Sequence, residues 1–164
     1  MWAGWRSAYV SGEHTDPVPE GDGTIFERIF ESGLADEESY VLWRGESCGA
    51  LLNVYPYSCG HLMVLPFTAA PDLLVLPSET YTELWEGVRM AVSAIEDAYA
   101  PDGVNVGLNI GKAGGASIPG HLHVHCLPRW SGDTTFLTSI AEARMLPEPL
   151  SQSWQKLKAA WPGG

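Results

Sequence analysis

Between His121 and Cys126 the chain alternates histidine with an apolar residue: His121, Leu122, His123, Val124, His125, Cys126. Successive side chains of an extended strand point to opposite faces, so this order sends the imidazoles one way and the apolar groups into a core. A helix would set residues i and i+2 about 200° apart and scatter the rings. The segment therefore predicts a strand in a sheet that buries one face and presents chemistry on the other. Just before it, Gly114-Gly115-Ala116-Ser117 is a loop whose backbone N–H groups can approach an anion with no bulky side chain in the way.

A row of imidazoles can bind a metal, because neutral imidazole is a common zinc ligand. It can equally set one nucleophilic ring beside hydrogen-bond donors for a phosphate. The Gly-rich loop favours the phosphate. A merely polar strand face is a third reading, and a stretch that holds three of the chain's five histidines argues against it.

Charge narrows the partner. With 20 acidic against 9 basic residues the net charge is −11, which disfavours nucleic acid or an anionic membrane held through a basic field. A small phosphorylated ligand then needs local positive potential, for which backbone amides, the histidines and Arg129 are available. The cysteines at 48, 59 and 126 form no C-x-x-C pair, so no disulfide framework is expected and the natural setting is reducing and cytoplasmic. No stretch approaches the roughly 20 apolar residues of a spanning helix, and no basic-then-apolar leader pattern opens the chain.

Taken in order, residues 1–23 read as an arm, rich in Gly, Pro and acidic residues after Trp2, Trp5 and Tyr9, and residues 24–164 as one folded domain. Thr24 to Glu31 carries Ile25, Phe26, Ile29 and Phe30 at helical spacing. Strands are expected from Tyr40 to Arg44, Gly49 to Val54 and His61 to Pro66. A long helix follows from Ser78, as N-cap, to Ala100, with Tyr81, Leu84, Trp85, Val88, Ala91, Val92 and Ile95 on one stripe and Pro101-Asp102-Gly103 as its stop. Val104 to Ile110 alternates as a strand that leaves Asn105, Gly107 and Asn109 opposite its apolar face, and Leu150 to Trp161 is a candidate terminal helix. Strands, one helix and more strands in that order predict an α+β antiparallel sheet covered by the helix.

The pattern from His121 to Leu127 resembles the signature of the histidine triad (HIT) family of nucleotide hydrolases and transferases. The likeness extends over Leu52 to Tyr57, Gly60 to Pro66, Asn105 to Gly111 and Leu127 to Phe136, which are similar to the bacterial branch of diadenosine polyphosphate hydrolases and phosphorylases. The opening Met1 to Val10 and the segment Met145 to Glu148 resemble that branch as well. The resemblance implies a HIT-like fold: a five-stranded antiparallel sheet with one long helix on it, joined across a homodimer into a continuous ten-stranded sheet. It also implies that His123 attacks the α-phosphorus of a bound nucleotide and forms a nucleotidyl-histidine. His61 and His121 would orient that ring, while His125 and the N–H groups of Gly115, Ala116 and Ser117 would donate to the phosphate oxygens. Asn53 matches a ribose-contacting position, Asn109 a position near the phosphates, and Trp130 a nucleotide-site or interface residue.

One departure from the family stands out. Many relatives carry Cys-Ile-Phe-Cys where this chain has Thr24-Ile25-Phe26-Glu27, and with a later histidine and the first triad histidine those cysteines hold a structural zinc. The later histidine position is Ala69 here. No structural zinc is therefore expected, no cofactor is required, and a divalent cation would enter only with the substrate. The expected activity is cleavage of dinucleoside polyphosphates with water or phosphate as acceptor. The alternatives are a purine nucleoside phosphoramidase, a metal-binding protein with His61 as an extra ligand, and a nucleotide-binding protein without turnover.

Overall fold

The computed structural model describes residues 20–133 and 148–163. Most of the expected arm, with Trp2, Trp5 and Tyr9, lies outside the described residues, as does the closing segment up to Pro147. Helix α1 (Ile25–Glu31) and the short α2 (Asp36–Ser39) precede strands β1 (Val41–Arg44), β2 (Cys48–Leu52) and β3 (Leu62–Pro66). Then come the long helix α3 (Ser78–Tyr99), strands β4 (Gly103–Leu108) and β5 (Val124–Arg129), and helix α4 (Leu150–Ala159). The strands form one five-stranded antiparallel sheet in the order β1-β2-β3-β5-β4, the α+β architecture expected from the alternating patterns.

Each face of the sheet has its own core. Leu42, Leu52, Leu62, Val64, Val124 and Cys126 meet Leu84, Val88, Ala91 and Ile95 of α3, with Leu157 of α4 and Trp161 closing the layer. Each fully buried leucine there removes enough apolar surface to contribute about 1.5–3 kcal/mol. The helix sits close because residue 87 is glycine: a Cβ there would meet Trp43 at 2.8 Å and Val64 at 2.9 Å. On the opposite face Val41, Leu51, Met63 and Leu65 pack against Phe26, with Ile25, Ile29 and Phe30 of α1 around them. Alternation along β5 directs Val124 and Cys126 into the α3 core, so His123 and His125 stand on the α1 face. Glu83 of α3 accepts hydrogen bonds from the Glu46 and Ser47 amides, which ties the β1–β2 hairpin to the helix.

Several boundaries differ from expectation: β2 runs Cys48–Leu52 rather than Gly49 to Val54, β4 runs Gly103–Leu108 rather than Val104 to Ile110, and α4 ends at Ala159. Two further differences have a visible cause. Strand pairing on β5 begins at Val124, so His121 and His123 precede the ladder. The reason lies across the sheet: Pro66 has no N–H to offer, its carbonyl accepts from the His121 ring, and the Leu122 amide bonds Ala70 instead. Ser78 is the first helical residue rather than the N-cap; Pro77 occupies the cap with φ −56°, a position that needs no N–H donor.

Candidate active site

The triad histidines differ in surroundings although they share a face. His123 is buried, and its Nδ1 lies 2.8 Å from the carbonyl oxygen of His121. A carbonyl can only accept, so Nδ1 carries a proton and, in the neutral ring, the lone pair is on Nε2. No described residue hydrogen-bonds that Nε2. Phe26, carried in by α1, supports the ring with centroids 5.3 Å apart, and His125 meets it edge-on at 4.9 Å.

His125 is set by a relay that starts in the loop after β2. The Tyr57 N–H donates to Nδ1 of His61 at 3.0 Å, which makes Nε2 the protonated nitrogen of His61. That Nε2 lies 3.0 Å from Nδ1 of His125, so His61 donates and His125 must hold its own proton on Nε2. The result is a neutral imidazole presenting an N–H beside the free lone pair of His123. Burial, and then the neighbouring His123, push the His125 pKa down to about 4.

His121 is fully buried and pinned at both nitrogens: Nε2–H donates to the Pro66 carbonyl at 2.8 Å, and Nδ1 lies 2.6 Å from the Thr24 hydroxyl. Burial, the largest influence, holds its pKa below the ordinary histidine value. The orienting roles are therefore divided differently from the sequence expectation. His61 acts on His125 rather than on His123, and it is the backbone carbonyl of His121, not its ring, that fixes His123.

The remaining sequence-derived residues fall into two groups. Asn53 is buried beside His61, its Oδ1 accepting the Tyr55 N–H at 2.9 Å and its Nδ2 3.5 Å from His61 Nδ1. Asn109 lies at the mouth of the Gly-rich loop and donates to the Gly115 carbonyl at 3.4 Å. The loop itself corrects an expectation: the Gly115 amide bonds the Lys112 carbonyl and the Ala116 amide bonds the Gly111 carbonyl, so these donors turn inward in a short 3-10 turn. Ser117, exposed at the loop's end, is outside that turn.

Arg129 likewise differs from its expected use. Its guanidinium forks onto the Asp133 carboxylate at 2.6 and 2.7 Å and donates to Asn105, so its charge is locally matched. Trp130 packs against Tyr99, seven residues beyond His123 on an extended chain, a span of about 23 Å. Within one protomer it stands at the far end of β5.

Sequence reasoning passed over Lys112, exposed in the loop between Asn109 and Ser117 and ion-paired with no described carboxylate. The signal was present as a lone cation inside a Gly-rich loop of an acidic chain. It also passed over Tyr57, whose ring lies 4.6 Å from His61 and 6.0 Å from His125.

The zinc positions do not offer a tetrahedral donor set. Ala69 has no ligand atom, both nitrogens of His121 are engaged, and the Glu27 carboxylate accepts the amides of Thr24 and Ala69. Among the described residues no group of three or more His, Cys, Asp and Glu side chains is arranged to hold a metal ion. A cavity of about 280 Å³ lies behind His61, between the 54–60 loop and residues 148–153, and contains neither His123 nor His125. The Glu148 carboxylate in its wall is already matched by Tyr99, Ser153 and Lys156.

The sheet thus carries two neighbouring imidazoles whose hydrogen bonds place the neutral-ring lone pair on Nε2 of one and the N–H on Nε2 of the other, an arrangement able to attack an electrophile and donate to its oxygens. The chain belongs to the HIT family, whose domain model matches residues 35–132. It is 35% identical to a Mycobacterium tuberculosis protein named AP-4-A phosphorylase over 162 residues, covering 98% of this chain and 83% of that one. A Schizosaccharomyces pombe bis(5'-nucleosyl)-tetraphosphatase (asymmetrical) is 34% identical over 95 residues, 58% of this chain and 52% of its own length. Among solved structures, a zinc-bound histidine triad family protein from Mycobacterium smegmatis superposes with TM-score 0.66 at 29% identity, over 84% of this chain and 92% of that one. No helix among the described residues is long and apolar enough to cross a membrane.

Proposed function

We propose that this protein cleaves dinucleoside polyphosphates at the α-phosphate through a nucleotidyl group held on Nε2 of His123. The observation that carries the reading is the tautomer pair: Nδ1 of His123 is committed to a carbonyl while His125 presents Nε2–H at its side. In the first step the Nε2 lone pair bonds to the α-phosphorus and the bond to the bridging oxygen breaks, its electrons leaving with the distal polyphosphate. His125 donates to oxygen where negative charge grows, assisted by Ser117 at the loop end. In the second step an acceptor oxygen attacks phosphorus, the N–P bond breaks, and His123 regains its lone pair.

The naming of a relative that aligns along nearly the whole chain as a phosphorylase supports inorganic phosphate as the acceptor, with a nucleoside diphosphate as product. Lys112 supplies the cation for the distal phosphates that Arg129, matched by Asp133, does not. Asn53 holds the ribose and Asn109 the phosphate side. The enzyme works without a structural zinc, in a reducing cytoplasmic setting, as a homodimer joined along the edge strand β4, which exposes Asn105, Val106 and Gly107. In that dimer Trp130 serves the interface.

Incubation with diadenosine tetraphosphate, with and without phosphate, followed by mass analysis of the products, tests the reading. Phosphate-dependent release of ADP together with ATP is expected. AMP and ATP without phosphate would assign water as acceptor, and intact substrate would overturn the proposal. His123→Asn should lower turnover by at least about 1000-fold while ligand binding persists; unchanged turnover would eliminate the covalent step.

A further inference from the structure

We propose that Thr24 and Glu27 are positioning residues for the attacking ring of His123, acting through His121. The inference rests on the reading of His123 as nucleophile and adds to it a support from helix α1 that the triad itself does not contain.

The support is a continuous set of hydrogen bonds. Glu27 accepts the Thr24 amide at 2.7 Å through one carboxylate oxygen and the Ala69 amide at 3.0 Å through the other, joining the start of α1 to the segment after β3. Nε2 of the neutral His121 donates to the Pro66 carbonyl, so its Nδ1 is an acceptor. The Thr24 hydroxyl faces two acceptors, this nitrogen at 2.6 Å and the Glu27 carboxylate at 3.0 Å, and gives its one proton to the nearer. The carbonyl of the same His121 receives Nδ1–H of His123 at 2.8 Å. Phe26, between the two polar residues in sequence, contacts both rings at 5.2 and 5.3 Å.

Helix capping alone does not explain this geometry. An N-cap threonine normally uses its oxygen to accept an amide of the first turn. Here that acceptance, from the Glu27 N–H, is long at 3.4 Å, while the contact with His121 is short at 2.6 Å. The side chain is set for the histidine first and for the helix second. Holding His121 at both nitrogens fixes the plane of its backbone, and so the direction of the carbonyl that keeps the His123 proton on Nδ1. If that carbonyl swings away, the imidazole proton redistributes between its nitrogens, and the fraction with a free Nε2 lone pair falls. Attack slows although the substrate still binds.

The test uses the full chain with Thr24→Val, Thr24→Ser and Glu27→Gln, read by diadenosine tetraphosphate kinetics and by nitrogen-15 imidazole spectra. Thr24→Val should lower kcat about tenfold with KM within about twofold, as a misplaced reacting group would. In the same variant the His123 signature of protonated Nδ1 and bare Nε2 should give way to a tautomer average, and Thr24→Ser should restore both. Glu27→Gln, which retains the threonine, should move both readouts in the same direction by a smaller factor and serves if the valine variant does not fold. Unchanged kcat and an unchanged His123 spectrum in Thr24→Val would overturn the proposal, as would a kcat loss that serine does not rescue. A wild-type protein inert toward the substrate would refute the proposed function, while the spectra would still decide the coupling between Thr24 and His123.

Discussion

His121 and His125 stand four residues apart on one face of the same segment, and nothing in their spacing distinguishes them. His121 is buried with both ring nitrogens bonded to protein, so it is a structural group whose useful atom is its backbone oxygen. His125 is half-buried and receives one hydrogen bond through Nδ1, and none of the described hydrogen bonds uses its Nε2. Alternation assigns a side chain to a face of a sheet. What lies across from it, Pro66 and Thr24 in one case and His61 in the other, assigns the job.

The contrast can be broken first at His125. Its replacement by Ala should lower kcat by about 100-fold, the scale of losing one donor to developing charge. His61→Asn, which removes the group that sets the His125 tautomer, should cost less, about tenfold. Steady-state kinetics on diadenosine tetraphosphate measures both. Equal losses at His61 and His125 would mean that the two rings act as one unit, and a negligible loss at His125 would remove it from the chemistry.

At His121 the expected effect is on stability. His121→Ala leaves the Pro66 carbonyl without its buried partner, a penalty of about 1–3 kcal/mol, while the Thr24 hydroxyl keeps the Glu27 carboxylate 3.0 Å away as its acceptor. For a chain of this size each kcal/mol corresponds to about 2–4 °C in Tm. Calorimetry should therefore show a fall of several degrees for His121→Ala and a smaller one for His125→Ala. A reversed order would contradict the division of labour between the two rings.

Much of this architecture is legible in the residues. The strand alternations, the stripe of α3 and the α1 pattern at Ile25, Phe26, Ile29 and Phe30 each correspond to an observed element because they reflect local periodicity. What escaped depends on contacts between distant segments. Spacing cannot show that Arg129 meets Asp133 and Asn105, that the Gly115 and Ala116 amides fold back on their own loop, or that His61 faces His125. The Thr24 clasp was partly visible, since Thr-x-x-Glu ahead of an apolar run is the capping-box pattern and the box is present. Its link to His121, ninety-seven positions away in sequence, was not.

Acid provides the finest test of the comparison. In the unfolded chain His125 takes up a proton near its ordinary value of 6.5, whereas in the folded chain burial and His123 delay uptake to about 4. Between those values the unfolded state binds more protons, so the stability present above pH 6.5 falls as pH drops toward about 4. His121, lowered chiefly by burial, acts in the same direction, while Glu27, lowered chiefly by the Thr24 amide, adds its own loss only below the ordinary carboxylate value of 4.5. Tm measured across this range should therefore decline in two stages, and His125→Gln should shrink the first to the part due to His121 without touching the second. An unaltered first stage in that variant would assign it to His121 and reverse which of the two rings resists protonation more.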